Sequence, residues 1–115
     1  MIAEKSYEFA LSIIHLYKSL VSTQKELILS KQLLRCGTAI GALVSEAEHA
    51  QSKADFLNKM NIALKEANET KYWLNLLKDS KLISIEEFDN IFPYSIELVR
   101  MLASIVKTTK ASLNK

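Results

Sequence analysis

Apolar residues recur at helical spacing in four separate stretches. Between residues 2 and 21, Phe9, Ile13, Leu16 and Leu20 form one row, and Ala10, Ile14, Tyr17 and Val21 form a second. At about 100° per residue the two rows lie side by side, giving an apolar arc wider than one core needs. Either a neighbouring subunit covers Ile14, Tyr17 and Val21, or the arc faces two neighbours inside one bundle. A break follows at residues 22–25. Thr23 with Glu26 fits a capping box there, and Ser30 offers a later start.

The second helix carries Leu29, Leu33, Cys36, Ile40, Leu43, Ala47 and Ala50 at alternating steps of four and three, or close to them. Beside this row stand Gly37, Gly41 and Ser45. Each glycine costs a helix interior ~1 kcal/mol relative to alanine, so a pair of them implies close approach of another helix. Ser52 followed by Asp55 marks the next helix start. Its row, Phe56, Met60, Ala63, Ala67, Thr70, Leu74 and Leu77, is the most regular in the chain. Trp73 and Tyr72 flank that row, and Lys65–Glu69 has the i,i+4 spacing of an outer-surface ion pair.

After a third break at residues 80–82, Ser84 and Glu87 repeat the capping signature. Ile85, Phe88, Phe92, Val99, Leu102 and Val106 follow at helical spacing. Pro93 lacks an N–H and crowds the preceding turn, which predicts a kink or a short break near Ile91 and Phe92. The polar tail from Thr108 is expected to fray. Four helices with short links predict an all-α, antiparallel up-down-up-down four-helix bundle, its last helix kinked near Pro93, as a single domain over residues 1–115.

Composition agrees. Only two glycines and one proline occur in 115 residues, too few turn formers for a sheet protein of this size. A net charge of +2 demands no polyanionic partner. The charge is nevertheless segregated, because Arg100, Lys107, Lys110 and Lys115 follow Glu97 with no acidic residue among them. These cations complement a helix C-terminal dipole, or they contact phosphate. A single cysteine cannot form an internal disulfide, which fits a reducing compartment. The start MIAEKSYEF has no signal-type apolar core, and no uncharged run reaches the ~20 residues needed to cross a bilayer. A soluble cytoplasmic protein without membrane association is expected.

Candidate chemistry is sparse. Glu46 and His49 form Glu-x-x-His, a motif of di-metal bundles, but the second copy is missing, since Ser12 stands three residues before the other histidine, His15. Arg35, Ala42, Glu46 and His49 share one helix face, which reads as a solvated or subunit-facing edge. Cys36 sits on the core row, where a thiol is ordinarily inert. No glycine-rich phosphate loop and no Ser/His/Asp grouping occurs. No enzyme activity, metal or cofactor is predicted. Arg35, Lys53, Lys59, Lys78, Arg100 and Lys107 are the candidates for phosphate contact. Gly37, Gly41, Ile14, Tyr17 and Val21 are the candidates for helix approach or subunit contact.

One segment carries a family resemblance. Gln32-Leu33-Leu34-Arg35, Gly37-Thr38, Ile40-Gly41-Ala42, Glu46-Ala47, Gln51-Ser52-Lys53-Ala54-Asp55-Phe56, Ala63-Leu64-Lys65-Glu66-Ala67-Asn68-Glu69-Thr70 and Tyr72-Trp73-Leu74 resemble the bacterial four-helix bundle protein family. That family is also known from proteins encoded in intervening sequences of large-subunit ribosomal RNA genes. The resemblance implies a four-helix subunit assembled into a ring, commonly a pentamer. It also implies kinship with the accessory protein of diversity-generating retroelements, whose basic ring binds nucleic acid and a reverse transcriptase. The family's molecular function is not established. Where the family typically has Ser-Ile-Gly-Ala-Asn, this chain has Ala39-Ile40-Gly41-Ala42-Leu43, so Leu43 is expected to extend the apolar row. The expectation is a non-enzymatic homo-oligomeric adaptor that binds RNA or DNA through basic residues of a ring. The alternative is a scaffold for an unknown protein partner, with no nucleic-acid binding.

Overall fold

The computed structural model describes residues 1–114, in which four helices follow one another: α1 (Ile2–Ser19), α2 (Ile28–Glu48), α3 (Lys53–Asp79) and α4 (Ile85–Leu113). A π-helical turn, Leu20–Gln24, prolongs α1. Short links reverse the chain each time, giving an up-down-up-down bundle in which α1 packs on α2 and α4, and α3 packs on the same two helices. The bundle measures 51 × 21 × 20 Å. Its length reflects the 29 residues of α4, which span ~44 Å at ~1.5 Å per residue.

The core follows the rows read from sequence where spacing is strict. Phe9, Ile13, Leu16 and Leu20 are buried from α1, and Met60, Ala63, Ala67, Thr70, Leu74 and Leu77 from α3. On α2 the row departs from expectation: Val44 is buried and Leu43 only half-buried. The reason is packing against α1, which comes so close at Gly37 and Gly41 that the buried stripe of α2 centres on Gly37, Ile40 and Val44. On α4 the core residues are Phe88, Ile91, Ser95, Leu98 and Leu102. Ile85 is 66% exposed, and Phe92, Val99 and Val106 are half-buried.

Four buried hydroxyls sit among these residues, and each donates to a carbonyl of its own helix or of the preceding link. Ser6 donates to Ala3, Ser30 to Glu26, Thr70 to Glu66 and Ser95 to Phe92, at 2.6–3.2 Å. Among the described residues no buried side-chain nitrogen or oxygen is left without a partner, so the core is chemically quiet.

The first link differs from the capping box expected at Thr23. Thr23 Oγ1 donates backward to the Ser19 carbonyl at 2.6 Å, inside the widened π turn. The chain then reverses through Lys25, whose φ of 56° is left-handed. Glu26 instead caps α2, its carboxylate accepting the Ile28 and Ser30 N–H groups at 3.3 and 2.8 Å. The other starts are as the sequence predicts: Ser52 Oγ accepts the Asp55 N–H at 3.0 Å, and Ser84 with Glu87 forms a complete reciprocal box.

Two expectations for α4 are corrected. Of the kink or short break expected near Pro93, the break does not occur, because the helix runs through Pro93 without interruption. Pro93 and Asp89, whose carbonyl loses its donor, are both exposed, so water can satisfy the freed group. The tail does not fray at Thr108 either; helix continues to Leu113. Half-buried Ile105, Val106 and Thr109 hold it against the bundle.

Candidate functional site

Small residues leave an open groove between α1 and α2. It is lined by Ala3, Tyr7 and Ala10 from α1 and by Gly41, Ala42 and Ser45 from α2, with a volume of about 560 Å³. The groove exists because α1 lies on the α2 backbone at this level. A methyl group added to Gly41 would stand 3.3 Å from the Ser6 carbonyl oxygen. With no side chains to fill the notch outside that contact, a furrow remains along the surface. Tyr7 rises from its wall 66% exposed, and Leu11 on the following turn is 44% exposed. Glu4 and Glu48 stand on the rim.

The residues predicted for subunit contact divide. Gly37 is fully inside the subunit, packed under Ile13. Gly41 lines the groove, while Ile14, Tyr17 and Val21 are half-buried further along α1. Sequence reasoning missed Tyr7, and it placed Ser45 beside the glycines and Ala42 on a polar edge without joining them to the small residues of α1. The available signal was the clustering of small residues at positions 3, 10, 41, 42 and 45, visible only once α1 and α2 are known to be adjacent.

The six candidate cations also divide. Arg35 bridges two carboxylates on α3, reaching Glu66 Oε1 at 3.4 Å and also pairing with Glu69. Glu69 is therefore not the partner of Lys65 that local spacing predicts; it also accepts the Trp73 indole N–H at 3.1 Å. Lys59 Nζ lies 2.9 Å from Glu46, a contact that raises the lysine pKa. Lys53 Nζ donates to Ser112 Oγ at 2.6 Å. Arg100 and Lys107 remain exposed and make no ion pair among the described residues. Lys78 lies 4.4 Å over the Phe88 ring.

Glu46 is paired with Lys59, and His49 is the exposed residue that ends α2. No group of three or more metal-ligating side chains occurs among the described residues. Burial pushes the Cys36 thiol up to about 11, which keeps it protonated near neutral pH. Tyr72 and Trp73 meet edge to face at 5.2 Å, Tyr72 exposed and Trp73 half-buried. No helix among the described residues is long and apolar enough to cross a membrane.

The fold is thus an all-α four-helix bundle whose surface carries an open furrow between α1 and α2. The model of the 23S rRNA-intervening sequence protein family matches residues 1–104, and the chain belongs to that family. A solved structure from Bacteroides thetaiotaomicron VPI-5482, described as a protein of unknown function from the S23 ribosomal protein family, is similar to it. That structure shares 55% identity, covers 93% of this chain with 99% of its own, and superposes with a TM-score of 0.91. No curated protein matches the chain.

Proposed function

We propose that the protein is a non-enzymatic adaptor that works as a homo-oligomer, its subunits joined through the α1–α2 groove. The observation that carries this reading is the groove itself: a furrow floored by small residues beside exposed Tyr7 and Leu11. Such a surface loses apolar area to a packed helix without leaving a void, and exposed apolar strips of this kind mark contact sites. The family resemblance supports a ring of five. Measuring molar mass by light scattering on a sizing column tests it. An assembly of several subunits is expected, and Ala42→Lys, which fills the groove with a long cationic side chain, is expected to release folded monomers. A monomeric wild-type protein at all concentrations would overturn the reading.

A second reading adds nucleic acid as cargo. Arg100 and Lys107, exposed on α4 and without an ion pair among the described residues, favour it. Arg35 and Lys59, held by carboxylates, contribute little. Binding of structured RNA or DNA should weaken steeply with salt, and Arg100→Ala with Lys107→Ala should flatten that dependence. No binding at low salt would leave the protein-scaffold form of the adaptor.

A further inference from the structure

The groove has a distinctive rim. Glu4 and Glu48 flank it, one from each helix, and neither has a side-chain cation within ion-pair distance among the described residues; Glu4 lies only 3.9 Å from the chain's own terminal amine. An occupant must therefore present small or apolar residues between positive charges. A rim of two carboxylates, one of them beside the terminal amine alone, would oppose an acidic or nucleic-acid occupant.

One surface of this chain has that chemistry. On α4, Arg100, Ser104 and Lys107 follow one another at i, i+4 and i+7, which places them on one helix face, all exposed. Arg100 and Ser104 also line a shallow depression with Met1, Ile2, Met101 and Ile105, so Arg100 stands beside an apolar strip, and Lys107 lies two turns further along the same helix face. The two surfaces lie in the same half of the bundle, because the start of α1, the end of α2 and the end of α4 share one end of it. They occupy different faces, since Arg100 and Ser104 sit between α4 and the start of α1, while the groove runs between α1 and α2.

We propose that the α1–α2 groove of one subunit receives the C-terminal half of α4 from the next copy, with Glu4 and Glu48 set against Arg100 and Lys107. This rests on the homo-oligomer reading above and adds the identity of the docking face. Joining two different faces is a heterologous contact, which builds a ring where the rotation between copies closes and an open filament where it does not, rather than a two-fold dimer. It also gives Arg100 and Lys107 a protein partner, in competition with their use as phosphate contacts.

A charge swap tests it. Glu4→Lys with Glu48→Lys should dissociate the assembly or lower its molar mass, and so should Arg100→Glu with Lys107→Glu. All four substitutions together should restore the wild-type mass. Helical circular dichroism on each variant confirms folding, and the substituted positions are all exposed. A wild-type assembly indifferent to both reversals, or one lost in both and not restored by the quadruple variant, would overturn the docking assignment alone. A monomeric wild type would instead overturn the oligomer reading beneath it. Arg100→Glu with Lys107→Glu that abolishes nucleic-acid binding while leaving the mass unchanged would return those cations to the phosphate reading.

Discussion

Gly37 lies so close to Ile13 that a methyl group placed on it would stand 2.7 Å from Ile13 Cγ1. Ile13 is fully buried and has nowhere to turn. Gly37→Ala should therefore destabilise the protein by about 1–2 kcal/mol, because overpacking outweighs the gain in helix propensity. Gly41→Ala meets the Ser6 carbonyl at 3.3 Å and should cost less. Urea denaturation checks both. The double variant Gly37→Ala with Ile13→Ala should cost less than the sum of its parts, since the smaller side chain relieves the clash.

Cys36 gives a pH signature. Burial pushes it up to about 11 from its ordinary 9.0, so the folded state favours the neutral thiol. The stability contributed by that preference is present below pH 9 and is lost as pH rises from 9 through 11. Wild-type stability should fall between pH 8 and 10.5 by more than that of Cys36→Ala. Ellman's reagent should react slowly with the native thiol at pH 8 and rapidly after unfolding. Equal loss of stability in both variants would contradict the assignment.

Arg35→Ala should cost no more than ~1 kcal/mol, since half-exposed ion pairs contribute little. Its clearer effect is local. Removing the guanidinium frees Glu69, which holds the Trp73 indole, and a change in tryptophan emission should report it. The stability difference from wild type should shrink with added salt.

Pro93→Ala should stabilise the protein by about 1–3 kcal/mol, because α4 already runs through this position and alanine restores the missing donor. Thermal or urea unfolding measures the gain. A loss would mean that the proline shapes α4 for its packing.

The sequence was most legible where one residue type excluded the others. In α3 the steps of four and three are unambiguous, and burial follows them. In α2, Leu43 and Val44 are both apolar and adjacent, so only the approach of α1 onto two glycines decides which turns inward. In α4, Ile91, Phe92, Leu98 and Val99 offer the same ambiguity twice. The surface was less legible. Arg35 finds Glu66 and Glu69 across a helix pair, 31 and 34 residues away, and Lys59 finds Glu46 thirteen residues back. Local spacing pairs Glu69 with Lys65 because it cannot see α2. The groove is a property of two helices: Gly41 and Ser45 signal close approach from α2 alone, but Ala3 and Ala10 gain meaning only beside them.

The central claim is that the α1–α2 groove joins subunits, and sedimentation velocity on the wild-type protein and Ala42→Lys tests it most directly. One assembled species is expected for the wild type and a helical monomer for the variant. A wild type that stays monomeric at tens of micromolar, or a variant with unchanged mass, would contradict it.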